Sequence, residues 1–494
     1  MNVTDGGEQG VRFVPGPDGR RSSLGAGRAI LAAALEAADP GAARALREEP
    51  AWRTAYPRHI RALVRAGLED ADAATRMASA GLRAASDRLE FMRAGSVLPL
   101  AAAIEKPAAM PDTLAIRGRG DARPAPWRLP WGGRHLEGTE LADRIDAWEA
   151  AGIVEPGHAA ALRRVAAHPE WLDLSDRHVV MLGAAAEAGP LAWLARWRAN
   201  IVAVEPRRAE VWKRMAATVE AGNGRLLAPL LPGARDLGQA GADLLSDTPE
   251  VAAWAAAFPE PLAVLALAYL DGERHVRVVA AMNAVIDQVV RVRPDACPAF
   301  LATSTDAFAV PEPVAARARQ GHADRDGARR LGQGLLRALS AGRLFAPHYA
   351  GPADGPRAIA DCLVIQQGPN YALAKRMQQW QALGLRAAGR RVSFNVTPST
   401  TTRSVVKNPA LAAAFRGAGA FGIEVFRPET TNAITAALLV HDLRSEHAVG
   451  NPARPLDHPL DLLAAQAGHG GLWRLPYLPR SVLPLAAALG FLRR

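Results

Sequence analysis

Short apolar runs alternate with stretches of helical spacing over the last two thirds of the chain. His178–Leu182 and Asn200–Val204 consist of β-branched and apolar residues with few polar interruptions, which indicates buried strands. Residues 261–270 and 299–303 have the same character, and residues 276–290 are apolar at helical spacing. Strands that alternate with helices in this way predict an α/β protein built on a parallel sheet.

The same alternation continues further along the chain. Residues 361–365 form a short apolar run, and a helix-like stretch continues from there to Ala388. A turn at Gly389 precedes another apolar run that stops at Pro398. We therefore expect one more strand–helix–strand unit in the sheet.

The N-terminal third is different in character. Its apolar residues have helical spacing, and alanine, leucine, arginine and glutamate dominate its composition. We predict a flexible N-terminus over residues 1–26, a helical N-terminal region over 27–168 with a Pro/Gly-rich linker at 107–138, and an α/β domain over 169–494 with a helical insertion at about 311–358.

Composition favours a cytoplasmic protein that acts on a small molecule. The chain has 494 residues, of which 49% are hydrophobic, which is ample for a core and for more than one structural unit. It has 2 cysteines, far apart in the sequence, and so no disulfide framework is expected. The longest apolar run, 251–270, is interrupted by Pro259, Glu260 and Pro261, which makes it a poor membrane span.

The net charge of +10 raises the question of a nucleic-acid partner. The basic residues are mostly arginines that alternate with alanine and are interleaved with acids, and no zinc-finger or RNA-binding motif accompanies them. We therefore expect neither a nucleic-acid nor a membrane partner, and the composition leaves a homo-oligomer open. Four histidines between 441 and 469 have no metal-binding spacing, so no metal site is expected.

A glycine-containing turn directly follows the strand His178–Leu182. Gly183 and Gly189 bound this turn, with Ala184 and Ala185 inside it. Small residues there would let backbone amides approach a pyrophosphate at the start of a helix, which the pattern predicts over residues 190–197. Glu205 ends the next strand, 22 residues after Gly183, where a dinucleotide-binding fold has the carboxylate that binds a ribose.

Two charged side chains modify this prediction. Glu187 occupies a place in the turn where a carboxylate would repel phosphates unless it turned outward. Arg207 follows Glu205 and could hold the additional phosphate of NADP, whereas Glu205 favours NAD. The sequence therefore predicts NAD or NADP as the cofactor, with a lean towards NAD.

Tyr371 and Lys375 are the strongest candidates for chemistry. Residues four apart lie on one face of a helix. An ammonium close to a phenol favours the phenolate and lowers its pKa, so that it can donate or accept a proton near neutral pH. The alternative is a chance spacing without a role.

The turn after the first strand, the acid after the second, and the pair Tyr371/Lys375 followed by a strand together resemble the short-chain dehydrogenase/reductase family. The resemblance covers about residues 176–440. It implies a Rossmann-like, doubly wound parallel sheet, and hydride transfer between NAD or NADP and a carbonyl or alcohol carbon. It also implies that Tyr371 acts on the substrate oxygen and that Lys375 adjusts the tyrosine and holds the ribose.

The resemblance also implies a serine that orients the substrate oxygen. Ser304 is the best match, with Thr303 and Thr305 as rivals, although it lies 67 residues before the tyrosine. In a rival alignment, residues 361–365 are the strand that carries the serine, and Gln366 and Gln367 then occupy its place.

Further cofactor contacts are implied after the last strand of this unit. Pro398 matches the family's proline, and Thr400 and Thr402 are the candidates for its cofactor-binding threonine. Ser399 replaces the glycine of the family pattern.

Two other functions stay open on the sequence. A non-catalytic dinucleotide-binding or regulatory protein could use the same fold. A methyltransferase that uses S-adenosylmethionine also begins with strand, glycine turn, helix, strand and acid, although such enzymes usually have an acid where Met181 and Leu182 stand.

Overall fold

The computed structural model describes residues 9–350 and 355–492. The N-terminal third forms a small sheet and a group of helices: β1 (Gly10–Phe13), α1 (Ser23–Glu36), α2 (Pro40–Arg47), α3 (Trp52–Leu68), α4 (Ala71–Ser86), β2 (Leu89–Arg93), β3 (Ser96–Pro99) and α5 (Leu100–Ile104). A connecting segment follows with β4 (Asp112–Arg117), β5 (Leu129–Trp131), β6 (Arg134–Leu136), α6 (Gly138–Ala151) and α7 (Pro156–Ala167).

Strands and helices then alternate. This part contains β7 (His178–Leu182), α8 (Leu191–Leu194), β8 (Asn200–Val204), α9 (Ala209–Glu220), β9 (Arg225–Leu230), α10 (Thr248–Ala257), β10 (Leu262–Ala266), α11 (Gly272–Val292) and β11 (Cys297–Thr303). The C-terminal part contains β12 (Ala307–Pro311), α12 (Glu312–Ala323), α13 (Gly327–Leu339), β13 (Arg357–Asp361), α14 (Gly368–Ala387), β14 (Ser393–Thr397), α15 (Arg403–Val406), α16 (Pro409–Gly417), α17 (Pro428–Arg444), α18 (Asp461–Ala464) and α19 (Pro479–Leu492).

A seven-stranded sheet in the order β14-β11-β10-β7-β8-β9-β4 forms the centre. The strands are parallel except β4, which pairs antiparallel with β9 at one edge. Numbered along the chain, the six parallel strands have the order 3-2-1-4-5-6, the order of doubly wound dinucleotide-binding sheets. The protein is therefore an α/β protein with a mostly parallel central sheet, compatible with the Rossmann-like prediction.

Burial on both faces of this sheet explains its sequence pattern. Along β7, Val180 and Leu182 belong to one core layer, and Val179 and Met181 to the layer on the other face. All four are 0% exposed. A strand that is buried on both faces needs a continuous apolar run rather than alternation.

The N-terminal helices α1, α3 and α4 pack against α14. Gly81 allows α4 to approach α14 closely, because a Cβ at this position would lie 2.4 Å from the ring of Trp380 on α14. Since α14 also packs against β11, it is enclosed between the sheet and the N-terminal region. This enclosure buries polar side chains of α14 that would otherwise reach water.

Three segments differ from the sequence prediction. Gly10–Phe13, in the terminus predicted as flexible, is the strand β1 and pairs antiparallel with β2. Asp112–Arg117, in the predicted linker, is β4 and completes the edge of the main sheet through its bonds to β9. The predicted helix over 190–197 is reduced to the single turn Leu191–Leu194.

The strand near residues 361–365 also differs. It is Arg357–Asp361, and it pairs antiparallel with β12 in a separate two-stranded sheet. The fifth parallel strand is therefore β11, and the rival alignment that put the serine strand at 361–365 is wrong. The segment from Cys362 leaves the pairing and leads through a short turn into α14.

No described helix is long and apolar enough to cross a bilayer. Within the described residues, no group of three or more histidine, cysteine or acidic side chains could hold a metal ion. Cys297 and Cys362 are both buried and free.

Candidate functional site

The order of the parallel strands reverses between β7 and β10, and in doubly wound sheets the ligand-binding crevice lies at this point, at the carboxyl ends of the strands. Gly183 begins the loop after β7 with a φ of +87°, and a Cβ there would lie 2.6 Å from the carbonyl oxygen of Leu267. The amides of Gly183 and Ala184 both donate to the carbonyl of Val204, at 3.0 and 3.3 Å. These contacts tie the loop to the ends of β8 and β10, and they require glycine at position 183.

Glu205 follows β8 and is tied to the same loop. Its Oε1 accepts a hydrogen bond from the amide of Ala185 at 2.7 Å. Burial raises the pKa of the Glu205 carboxyl, and the Ala185 amide and Arg208 act in the opposite direction. The second carboxylate oxygen accepts no hydrogen bond from the described residues. It is the oxygen that could accept a hydroxyl of a bound ligand.

Most amides of the loop already have acceptors, some of them within the loop itself. Ala186 donates to the carbonyl of Gly183 at 3.1 Å, and Gly189 donates to the carbonyl of Ala186 at 2.9 Å. The amides of Glu187 and Ala188 donate to no acceptor among the described residues. Because α8 has only one turn, its dipole adds little, and a phosphate would have to be held mainly by these two amides.

Glu187 does turn away from the loop, towards a cation. Its Oε2 accepts from the amide of Arg403 at 2.7 Å, and its Oε1 accepts from the guanidinium of the same residue. The contact joins the loop after β7 to the start of α15. The positive charge of Arg403 compensates the negative charge of Glu187, which would otherwise repel a phosphate bound at the loop. The Arg403 side chain is 70% exposed.

Lys375 lies beneath the crevice and is 1% exposed. Its Nζ donates to the carbonyls of Ala268 at 2.9 Å and Leu301 at 3.1 Å, and to Oε1 of Gln378 at 3.2 Å. Burial lowers the pKa of Lys375 to about 7, while the charge of Asp306 acts against this shift. The ends of β10 and β11 therefore hold a lysine whose charge changes near neutral pH.

Two tyrosines flank this ammonium. Lys375 Nζ lies 4.4 Å from the ring centre of Tyr269 and 6.0 Å from that of Tyr371. Burial raises the pKa of Tyr269 to about 12 and also raises the pKa of Tyr371 above 10. The expectation that the pKa of Tyr371 lies below its ordinary value is therefore wrong, because burial of the phenol raises it and the neighbouring Tyr269 acts in the same direction.

Tyr269 was missed in the sequence. It lies three residues after the end of β10, and it is 37% exposed, although burial of its phenol raises its pKa. The available signal was a tyrosine near the carboxyl end of the predicted central strand 261–270.

The hydroxyl groups after β11 form a short chain of hydrogen bonds that reaches Tyr371. Thr303 acts to lower the pKa of the nearby Tyr371 phenol, its hydroxyl lies 2.9 Å from that of Thr305, and Gln367 Nε2 donates to Thr305 at 2.6 Å. Ser304 is 1% exposed, and its Oγ has no partner among the described residues. The residue beside Tyr371 is thus Thr303, the rival of Ser304 in the sequence prediction.

The loop after β14 offers fewer donors than the sequence suggested. Thr400 Oγ1 donates to the carbonyl of Pro398 at 2.9 Å and lies 2.8 Å from the hydroxyl of Thr431. Thr402 immediately precedes α15. Arg207, the candidate for a second phosphate, forms a 3.0 Å ion pair with Asp247. The hydroxyl of Thr400 and the charge of Arg207 are therefore engaged inside the protein.

Two further charged or titratable residues enclose this region. His275 is 0% exposed, and its ring centre lies 4.9 Å from that of Tyr371. Burial and the charge of Lys375 lower the pKa of His275 to about 3, so it is neutral at physiological pH. Asp306 accepts from Arg376 at 3.0 Å and from Gln379 at 2.8 Å, and all three side chains are buried.

Asp306→Ala is expected to lower the free energy of unfolding by about 3–5 kcal/mol, because it leaves the buried Arg376 without its carboxylate. Asp324→Ala, at an exposed acid that contacts only Gln320 among the described residues, should change it by less than ~0.5 kcal/mol. Urea unfolding of both variants measures the difference. If Asp306→Ala lowered the free energy of unfolding by less than about 1 kcal/mol, the buried ion pair of Asp306 and Arg376 would contribute no more to stability than an exposed ion pair.

Comparison of the chain with protein-family models, with curated proteins and with solved structures found no match.

Proposed function

We propose that the protein is an NAD(P)-dependent oxidoreductase that transfers hydride between the nicotinamide and a carbonyl or alcohol carbon. The observation that carries the proposal is the position of α14. It connects the fifth and sixth parallel strands and brings Tyr371 and Lys375 to the carboxyl ends of β10 and β11. Ligands of doubly wound proteins bind at this edge of the sheet, at the point where the strand order reverses.

The cofactor would supply or accept the hydride, and the protein would provide position and charge. In the direction of reduction, the neutral phenol of Tyr371 donates its proton to the substrate oxygen. Thr303 lies beside the phenol, and Lys375, where it is protonated at and below about pH 7, stabilises the phenolate that remains. In the direction of oxidation, the phenolate would accept the proton of the alcohol, and because burial raises the pKa of Tyr371, this direction needs alkaline pH.

A dinucleotide would occupy the other half of the crevice. The amides of Glu187 and Ala188 and the side chain of Arg403 are the donors available to a pyrophosphate, and the outer oxygen of Glu205 is the acceptor available to a ribose. Gly183 allows the loop to stay close to Leu267, and a side chain at this position would push the loop away from β10.

The pair Glu187–Arg403 gives a specific test of this cofactor site. Glu187→Gln removes a negative charge and releases Arg403, so we expect NADH to bind several-fold more tightly. Ala185→Asp adds a charge in the loop and should weaken binding at least about tenfold. Nucleotide fluorescence titration measures both. Unchanged affinity in both variants would contradict binding at this loop.

The choice between the two nucleotides follows from Glu205 and Arg207. Glu205 favours the free ribose hydroxyls of NAD, and Arg207 is already paired with Asp247. We therefore expect tighter binding of NADH than of NADPH. A preference for NADPH that disappears in Arg207→Ala would reverse this assignment.

A non-catalytic dinucleotide-binding protein is the second candidate. The observation that favours it is the buried hydroxyl of Ser304, which cannot reach a substrate in this conformation. Such a protein would bind the nucleotide in the same crevice but would reduce no carbonyl compound, so turnover separates the two proposals.

A further inference from the structure

A cavity of about 640 Å³ is lined by the end of α6, by α12, by the segment 471–475 and by residues 421 and 422. Its volume is within the range of pockets that hold small molecules. None of the described residues that line it belongs to the candidate site at the carboxyl ends of β7, β10 and β11. The cavity is therefore a second place on the molecule where a ligand could bind.

Arg474 lines this cavity, and one edge of its guanidinium has no partner. Its Nη1 donates to Oε1 of Glu155, which is 4% exposed, and lies 3.1 Å from Nε2 of His469. Burial raises the pKa of Glu155, but His469 and Arg474 lower it to about 2, so this carboxylate is charged. Nε and Nη2 of Arg474 donate to no acceptor among the residues that the structure describes. These two N–H groups form the parallel fork that binds a carboxylate through two hydrogen bonds.

A second guanidinium, that of Arg317 on α12, lies beside the first. A Cβ at Gly152 would lie 2.9 Å from Nε of Arg474 and 3.2 Å from Nη1 of Arg317. Both terminal nitrogens of Arg317 donate to the carbonyl of Ala150 at 3.1 Å, and no acid in the described part of the chain pairs with this side chain. Two neighbouring cations therefore have one carboxylate, Glu155, between them. An anion in the cavity would compensate the remaining positive charge.

The other walls favour an apolar body and a carboxylate over a phosphate. Four lining residues contribute apolar side chains: Ala151, Ala316, Phe421 and Leu475. The backbone amides of Gly422 and Gly471 also border the cavity, but they already donate to the carbonyl of Gly419 and to Nδ1 of His469, both at 3.1 Å. A phosphate would need such amides for its additional oxygens, whereas a carboxylate needs only the fork of one arginine.

We propose that this cavity binds a small monocarboxylic acid with an apolar body. The carboxylate accepts two hydrogen bonds from Nε and Nη2 of Arg474 and lies beside the guanidinium of Arg317. The apolar body packs against Phe421 and Leu475. The proposal does not depend on the oxidoreductase activity, because the cavity and the candidate site share no lining residue.

Asp324 restricts the ligand to one carboxylate. It lines the cavity two helical turns after Arg317, about 10 Å further along the axis of α12. Its Oδ1 accepts from Nε2 of Gln320 at 2.6 Å, and no cation of the described residues pairs with it. A ligand with a second carboxylate at this end would be repelled.

Heptanoate, heptanamide and pimelate are matched probes, because they share a chain of seven carbons and differ only in their charged ends. In calorimetric titration of the full chain, heptanoate should bind at least about tenfold more tightly than heptanamide, which lacks the charge for the arginine fork. Pimelate should bind more weakly than heptanoate. Asp324→Asn should reduce the difference between the two acids, because it removes the repelling charge.

Variants of the cavity locate the binding site. Arg317→Gln, at an exposed position, should weaken heptanoate binding at least about tenfold, whereas Arg65→Gln, at an exposed arginine on α3, should leave it unchanged. Ala316→Phe puts a ring into the cavity and should abolish binding, and circular dichroism checks that this variant is folded.

Equal affinity for heptanoate and heptanamide, tighter binding of inorganic phosphate than of heptanoate, or unchanged heptanoate binding in Arg317→Gln would overturn the proposal. None of these results would alter the expected binding of NADH in the crevice, so the two proposals can fail separately.

Discussion

Tyr371→Phe should lower the turnover number by about two to four orders of magnitude, the range for loss of a positioned proton donor. The substitution removes only the hydroxyl beside Thr303. Affinity for NADH should stay the same, because the phenol is assigned to the substrate oxygen and not to the nucleotide. The assay follows nicotinamide absorbance with a panel of aldehydes and ketones, and the comparison uses the best substrate of the panel.

A matched control is available at another buried tyrosine. Tyr349 donates to the carbonyl of Trp473 at 2.8 Å, among residues of the C-terminal segment. Tyr349→Phe also removes one buried hydrogen bond, so a general effect on stability would appear in both variants. If Tyr371→Phe kept a turnover number within about threefold of that of the wild type, Tyr371 would be excluded as the proton donor. A large loss in Tyr269→Phe alone would give that role to Tyr269.

Between pH 7 and pH 10.5, the free energy of unfolding of the wild type should rise by about 5 kcal/mol more than that of Lys375→Met. The pKa of Lys375 is lowered from 10.5 to about 7 by burial, and each unit corresponds to about 1.4 kcal/mol. Between these values the unfolded chain binds the proton more tightly than the folded one, so the free energy of unfolding rises with pH. Below pH 7 both states are protonated, and the full cost of the buried charge remains.

Comparison of the two proteins removes most of the pH dependence that comes from the neighbouring titratable groups. Asp306, His275, Tyr269 and Tyr371 face Lys375, and they are present in both proteins. Urea unfolding at a series of pH values gives the difference, and Lys106→Met, at an exposed lysine, should show no such trend. A wild type that gains less than about 1 kcal/mol over this range would mean that Lys375 stays charged in the folded protein.

The parallel strands were predictable because strands buried on both faces are rich in apolar and β-branched residues, a pattern visible in the local sequence. His178–Leu182 and Asn200–Val204 are almost entirely apolar or β-branched, and Ser393–Thr397 alternates polar residues with Phe394 and Val396; all three are strands at the predicted places. The edge strand Asp112–Arg117 has exposed positions and a mixed sequence, and only its pairing with β9 makes it a strand. The sequence pattern of the segment itself cannot predict its pairing with a distant strand.

The properties of the candidate site depended on contacts between distant parts of the chain. Spacing put Tyr371 and Lys375 on one helix face, but the direction of the pKa shift of Tyr371 depends on burial of α14, to which the N-terminal helices contribute. The pairing of Glu187 with Arg403 joins residues that are 216 positions apart. Neither could be predicted from the neighbouring sequence.

The most direct measurement is a calorimetric titration of the full chain with NADH, NADPH and S-adenosylmethionine in parallel. We expect NADH to bind at one site per chain, NADPH to bind more weakly, and S-adenosylmethionine not to bind. Loss of the NADH signal in Ala185→Asp would locate the site at the loop after β7. Binding of S-adenosylmethionine without either nicotinamide nucleotide, or no binding of any of the three, would contradict the proposed oxidoreductase.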